Sequence, residues 1–230
     1  MATETAMHLI HPAAQRLHRA VLAERRALAR ALAIEADWRH HDGPEWAARY
    51  WAAFGDLQPA STTTDDDATA IAVAGHADWP VLDDRHAGQA RAIFRALLAS
   101  LHPDVQPPAA VDARASHWPM VLRAYRGGDL AGLQAQLSAV RRLSFSAALP
   151  VCVVALRAEY RRLCHARGAA DRRLAELSQT FPFCVRDNLA DADWIRRQRL
   201  ALRQIRVMTA PPIARPAGRA HHAGLREQVS

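Results

Sequence analysis

The sequence predicts an all-α fold in which a short helical hairpin is flanked by long amphipathic, coiled-coil-like helices. Three observations carry that prediction. Apolar residues make up 50% of the 230-residue chain, and they are mostly Ala and Leu with few β-branched residues, a composition that favours helix over strand. They recur at helical spacing in segment after segment. Only Ile71 and Val73 alternate with alanines as a strand would, and no second strand is evident to pair with them.

From Pro12 to Trp38, Leu17, Val21, Leu28 and Leu32 fall four, seven and four apart, giving a long helix with a seam close to heptad spacing. Gly43-Pro44 is expected to break it. A second helix is expected from Glu45 to Leu57, where Trp46, Tyr50 and Phe54 stand at successive i+4 steps. Helical spacing alone accounts for this aromatic line, so it reads as core packing and not as a platform for nucleobases. Residues 1–58 thus form an N-terminal helical segment. Across residues 59–82 the character changes to Pro59, Ser61, three threonines, three aspartates and small residues, which reads as a mobile linker. Asp65-Asp66-Asp67 lacks the alternating ligand spacing of a calcium loop and reads as a solvated turn.

Residues 83–143 form the central unit. Asp83 or Asp84 can cap a helix that runs to Leu101, with Phe94, Leu97, Leu98 and Leu101 on one stripe and Arg91 and Arg95 on the outer face. Pro103 stops that helix, because its ring removes a donor and pushes His102 out of the α region. Pro107 and Pro108 keep the chain extended. Helix resumes from an N-cap near Ser116, with Pro119 in the first turn and Trp118, Val121, Leu122 and Tyr125 on its stripe. Gly127-Gly128 ends it, and a further helix runs from Asp129 to Leu143. The two stripes are natural partners, so His102-Pro103-Asp104 is expected at an accessible turn, as a docking device and not a catalytic pocket.

Residues 144–208 read as a C-terminal helical segment. Pro150 is expected to open a helix with Leu156, Tyr160 and Leu163 on one face and Gly168 as its stop. Another segment carries Leu174 and Leu177 as far as Phe181-Pro182. Asp191 or Asp193 caps a last helix with Ile195, Leu202, Ile205 and Met208. Residues 209–230, rich in Pro, Gly and Arg, have little to bury and read as a disordered tail.

The net charge of +7 and pI near 10.5 suit an acidic partner surface. Every permanently positive side chain is arginine. Three cysteines at irregular spacing, Cys152, Cys164 and Cys184, form neither a zinc framework nor a redox motif, and a reducing, cytoplasmic setting fits. Met1 to Ile10 lacks the pattern of a signal peptide. The most apolar stretch, Phe145 to Leu156, is too short and interrupted to span a bilayer. No phosphate loop, nucleophile elbow or zinc-protease motif is present. His40-His41-Asp42 reads as a polar helix end, since adjacent helical residues point in different directions. Cys164-His165 fails as a nucleophile and base for the same reason. A protein that is not an enzyme and needs no cofactor or metal is expected.

The run Phe94-Arg95-Ala96-Leu97, then Leu101, His102-Pro103-Asp104, Trp118, Val121 and Ala124-Tyr125 resembles the J-domain family, the DnaJ-like co-chaperones that stimulate ATP hydrolysis by DnaK-type chaperones. In that family an aromatic-Arg-x-Leu pattern precedes His-Pro-Asp, and the next helix carries an aromatic residue and an Ala-Tyr pair. The resemblance covers roughly residues 85 to 137. Arg126-Gly127-Gly128-Asp129-Leu130 is similar to the run just after this hairpin in a bacterial subgroup with helical flanks and no zinc-binding region. The family's first-helix start is answered only by Trp79-Pro80-Val81-Leu82. Ala96 and Ser100 stand where the family commonly has basic residues.

The resemblance implies docking on a DnaK-type ATPase chaperone through His102, Pro103, Asp104, Arg91 and Arg95, with the flanking helices recruiting a client or setting a homo-oligomeric state. Arg85 adds to the positive surface. His102, standing in an exposed loop, is expected to tolerate substitution by Gln at no more than about 0.5 kcal/mol. The departures favour an alternative, a catalytically silent helical scaffold that retains a J-like fold. A third reading is an arginine-rich nucleic-acid-binding protein using Arg196, Arg197, Arg199, Arg203 and Arg206, although such runs are usually solvated helix faces. No membrane partner is expected.

Overall fold

A computed structural model describes residues 12–57, 84–107, 116–142 and 152–209. The linker of residues 59–82, with Asp65-Asp66-Asp67, the Ile71 and Val73 alternation and Trp79 to Leu82, lies outside the described residues, as do Asp83, Pro108, Leu143, Pro150 and residues 210–230. Among the described residues the fold is all-α, with no strand.

Helix α1 spans Pro12–Asp37 and α2 spans Gly43–Phe54. Gly43-Pro44 does not break the chain between them. Trp38–Asp42 instead forms a π-helical segment, and the Gly43 N–H donates to the Trp38 carbonyl five residues back. This wider turn absorbs the donor that Pro44 lacks and relieves the clash its ring would make with a carbonyl four residues behind. Gly43 is needed there for space, because a Cβ would sit 2.6 Å from the Trp38 carbonyl oxygen and 3.3 Å from the Phe183 ring. A short 3-10 turn, Gly55–Leu57, follows α2.

Helix α3 spans Asp84–Leu101, α4 His117–Arg126 and α5 Leu130–Arg142. Ser116 is the N-cap of α4 by position, but its side chain makes no capping hydrogen bond. Gly128 takes a positive φ of 63°, the left-handed geometry that ends a helix cheaply only at Gly. Asp129 then caps α5 by accepting from the Gly132 N–H at 2.8 Å. Helix α6, Val153–Gln179, starts at Cys152, whose sulfur accepts from the Ala155 N–H.

Gly168, expected to stop this helix, lies inside it. Leu156, Leu163 and Ala170 are all fully buried in one core with Val21 and Leu28 of α1, and that packing outweighs the roughly 1 kcal/mol that a mid-helix Gly costs. The segment carrying Leu174 and Leu177 is therefore part of the same helix. Two 3-10 turns, Phe183–Val185 and Asn188–Ala190, lead to α7, Ala192–Thr209. The expected cap at Asp191 is present, accepting from the Asp193 N–H at 2.8 Å. The apolar stripe of α7 is only partly used, since Ile205 is 55% and Met208 84% exposed. Thr209 closes α7, one residue inside the span read as a tail.

Side-chain pairings fix the helix directions. Arg25 meets Glu159 and Glu35 meets Arg173, so α1 and α6, the most extensively packed pair, run parallel. Arg95 meets Asp37 and Arg91 meets Asp42, so α3 runs antiparallel to α1. Trp118 packs on His102 while Tyr125 stacks on Phe94 at 3.7 Å, so α3 and α4 form an antiparallel hairpin. Helix α5 returns along α4, with Gln136 beside His117. The blocks that the sequence suggests as separate segments share this core, which draws on α1, α3, α4, α5 and α6.

The aromatic line of α2 splits its duties. Phe54 is fully buried against Tyr50 and Trp194, and Tyr50 also meets Phe181. Trp46 lies half-buried under the Arg49 guanidinium.

Gly43→Ala is expected to destabilise the fold by about 1–3 kcal/mol, the range for forcing an extra carbon into a packed site. Urea unfolding followed by circular dichroism reads that loss as a lower midpoint.

Candidate functional site

The turn after α3 is built from its own short-range bonds. His102 makes the last helical bond to the Leu98 carbonyl at 3.0 Å, and its own carbonyl then accepts from both Val105 N–H and Gln106 N–H at 3.0 Å. The His102 Nδ1 atom accepts from the Asp104 N–H at 3.1 Å. A nitrogen that accepts carries no proton, so the neutral ring holds its hydrogen on Nε2. Burial keeps the ring neutral by lowering its pKa, with Arg173 acting in the same direction and Asp104 and Glu35 against it.

His102 is not fully exposed, as the sequence suggested, but half-buried, with its ring edge-to-face on Trp118 at 4.8 Å. Val105 and Gln106 are buried beneath it, and this anchoring draws the turn onto the body. Pro103 and Asp104 remain on the surface.

A cleft of about 200 Å³ opens beside the ring, lined by Glu35, Arg39, His102, Asp104, Trp118 and Arg173 among others. Arg173 holds Glu35 in a fork, with Nε at 2.9 Å and Nη2 at 2.9 Å on its two oxygens, and Arg39 adds a third donor at 3.2 Å. From α6, Arg162 donates to the carbonyls of Asp104 at 2.7 Å and Gln106 at 3.1 Å.

Arg91 and Arg95 lie on the polar side of α3, but that side faces the end of α1. Arg91 is bound to Asp42 at 2.8 Å and Arg95 to Asp37 at 3.1 Å. Asp37 is buried and also accepts from the Tyr125 hydroxyl. Burial, followed by the hydrogen bond to Asp37 and the charge of that group, pushes the Tyr125 hydroxyl far above its ordinary value. Arg95 keeps 58% of its side chain exposed against 34% for Arg91. The structure thus brings His102, Pro103 and Asp104 together at one end of the hairpin and sets Arg91 and Arg95 further along α3.

Sequence reading passed over Glu35, Asp37, Arg162 and Arg173. No local signal marks them, since each acts across 50 or more positions of the chain.

His40 and His41 sit in the π segment. The Arg126 Nε–H donates to His40 Nε2 at 3.2 Å, and the His41 ring meets Tyr125 edge-on at 4.3 Å. Among the described residues no group of three His, Cys, Asp or Glu side chains could hold a metal ion, and no helix is long and apolar enough to cross a membrane. No family model matches the chain, and no curated protein or solved structure is significantly similar to it.

The histidines make stability depend on pH. His40 is pushed down to about 4, first by burial and then by Arg126, His41 and Arg39, and His41 is lowered chiefly by burial. Both groups, like His102, bind a proton less well folded than unfolded. Their contribution is therefore fully present above the ordinary histidine value of 6.5 and is lost as pH falls toward about 4. Urea midpoints are expected to drop between pH 7.5 and pH 5, and to drop less in His40→Gln, whose side chain does not titrate.

Proposed function

We propose that this chain is a J-domain-like co-chaperone, which docks on a DnaK-type ATPase chaperone and stimulates its ATP hydrolysis without performing chemistry itself. The observation that carries the reading is the position of His102-Pro103-Asp104 directly after α3, whose antiparallel packing on α4 is locked by Phe94 on Tyr125, with Pro103 and Asp104 left on the surface. A turn held by its own hydrogen bonds beside a packed helix pair suits recognition, because less conformational entropy remains to be lost on binding. The Asp104 carboxylate is the exposed acceptor at that turn, and Arg95 is the more accessible of the two arginines. Contacts made by His102, Pro103 and Asp104 in only one state of the partner would bias its conformational equilibrium toward hydrolysis. The flanking helices are the place for a client or a second copy.

The scaffold reading has its own support. Arg91 and Arg95 already hold carboxylates of this chain, and Val105 and Gln106 bury the second half of the turn. A hairpin committed to its own body fits a protein that assembles others through its helices. ATP turnover by the chaperone, with and without this protein, separates the two readings.

His102→Gln is expected to cost about 1 kcal/mol, since one hydrogen bond and one ring contact are lost, and yet to abolish stimulation in a protein that still folds. Full stimulation by folded His102→Gln would remove His102 from the docking device. Arg95→Glu is expected to weaken stimulation more at low salt than at 0.5 M, because exposed charges act mainly on encounter and are screened within a few ångström there. Equal weakening at both salts would indicate damaged packing against Asp37.

A further inference from the structure

We infer that Arg162 of α6 is a positioning residue for the His102-Pro103-Asp104 turn, so that α6, outside the hairpin, belongs to the docking device. For its functional consequence this rests on the co-chaperone reading above.

The guanidinium of Arg162 makes four hydrogen bonds. Nη1 donates to the Asp104 carbonyl at 2.7 Å and Nη2 to the Gln106 carbonyl at 3.1 Å, while Nε and Nη2 bind the two oxygens of Glu159 at 2.8 and 3.0 Å. A planar fork with five donors can serve two backbone carbonyls and a carboxylate at once, whereas a lysine ammonium is a point charge. Glu159 is itself buried, and its Oε1 also accepts from Arg25 of α1 at 3.0 Å. The orientation of Arg162 is thereby set from both long helices.

Were Arg162 present only to neutralise Glu159, Arg25 would already supply that charge. Its reach past Glu159 to the turn calls for a second purpose. The carbonyls of Asp104 and Gln106, on either side of Val105, are held by it, which fixes the backbone that carries the Asp104 carboxylate. Within the turn, two amides donate to the His102 carbonyl and the Asp104 N–H donates to Nδ1, and the Gln106 side chain donates back to the Ala99 carbonyl of α3. Arg162 is the connection from α6 that ties those bonds to the helical body.

The experiment measures amide hydrogen exchange and chaperone stimulation in the full chain for wild type, Arg162→Ala, Arg162→Lys and, as a control, exposed Arg161→Ala. Arg162→Ala is expected to speed exchange at Val105 and Gln106 by about tenfold while amides at the centre of α6 stay protected. It is also expected to lower stimulation several-fold at saturating concentration, with Arg161→Ala like wild type. Unchanged exchange at Val105 and Gln106 in folded Arg162→Ala overturns the inference whatever the activity. Faster exchange with undiminished stimulation overturns its functional part. If Arg162→Ala does not fold, Arg162→Lys is read in the same way, since it keeps a charge beside Glu159 but cannot serve both carbonyls. A wild-type chain that never stimulates the chaperone defeats the co-chaperone reading, and the exchange result then decides the structural brace by itself.

Discussion

The parallel packing of α1 against α6 is the constraint on which the rest of the molecule depends. Parallel helices cannot be joined by a short turn, because the chain leaves the first at its far end and must enter the second at the near one. For α1 the distance to be recovered is about 39 Å, its 26 residues at 1.5 Å each. Helix α3, antiparallel to α1, makes the first return, α4 climbs again, and α5 descends once more before α6 begins. Each intervening helix thus has its direction imposed by the seam that Val21, Leu28, Leu156, Leu163 and Ala170 form. The hairpin is a consequence of this circuit as well as of its own two stripes.

Charge is distributed along the same seam. Arg25 with Glu159 and Glu24 with Arg167 tie the middle of α1 to α6, and Glu35 with Arg173 ties its end. Of the three, Arg25 with Glu159 is buried, and such a pair adds little over an apolar contact although losing one partner leaves the other charge poorly solvated. The arginines of the other two pairs stay partly in water. The pairs serve better as specificity devices than as sources of stability, because a slip of either helix by one turn would unpair all three at once. Glu159 shows the balance. Burial alone would raise its pKa, and the hydrogen bonds from Arg162 and Arg25 overcome burial and bring the carboxyl below its ordinary value of 4.5.

Much of this was legible in the sequence, for an identifiable reason. The stripes Phe94, Leu97, Leu98, Leu101 and Trp118, Val121, Leu122, Tyr125 are local patterns, and local patterns report the face that a helix buries. The stop at Pro103 and the αL glycine at position 128 are equally local. What escaped was decided by distant groups. Gly168 looks like a terminator until α1 packs beside it, and Gly43-Pro44 looks like a break until a π turn takes up the missing donor. The exposure assigned to His102, Arg91 and Arg95 assumed that nothing lay over the hairpin. Asp37, Asp42 and the carbonyl-binding Arg162 come from elsewhere in the chain, and no spacing rule connects them.

The π segment at Trp38–Asp42 has a consequence for how the two ends of the molecule face. One residue more than an α-helical turn requires is housed there, which rotates everything beyond it by about 100° relative to the stripe of α1. The leucines of α1 thereby point at α6, while Tyr50 and Phe54 of α2 point at Phe181 and Trp194 beyond the end of α6. The segment works as a phase shifter between two recognition codes written on one continuous rod, one aliphatic and one aromatic. Chains of this architecture can therefore change the direction in which α2 projects by gaining or losing a single residue at this point, at the cost of the contacts that His40, His41 and Asp42 make with the hairpin.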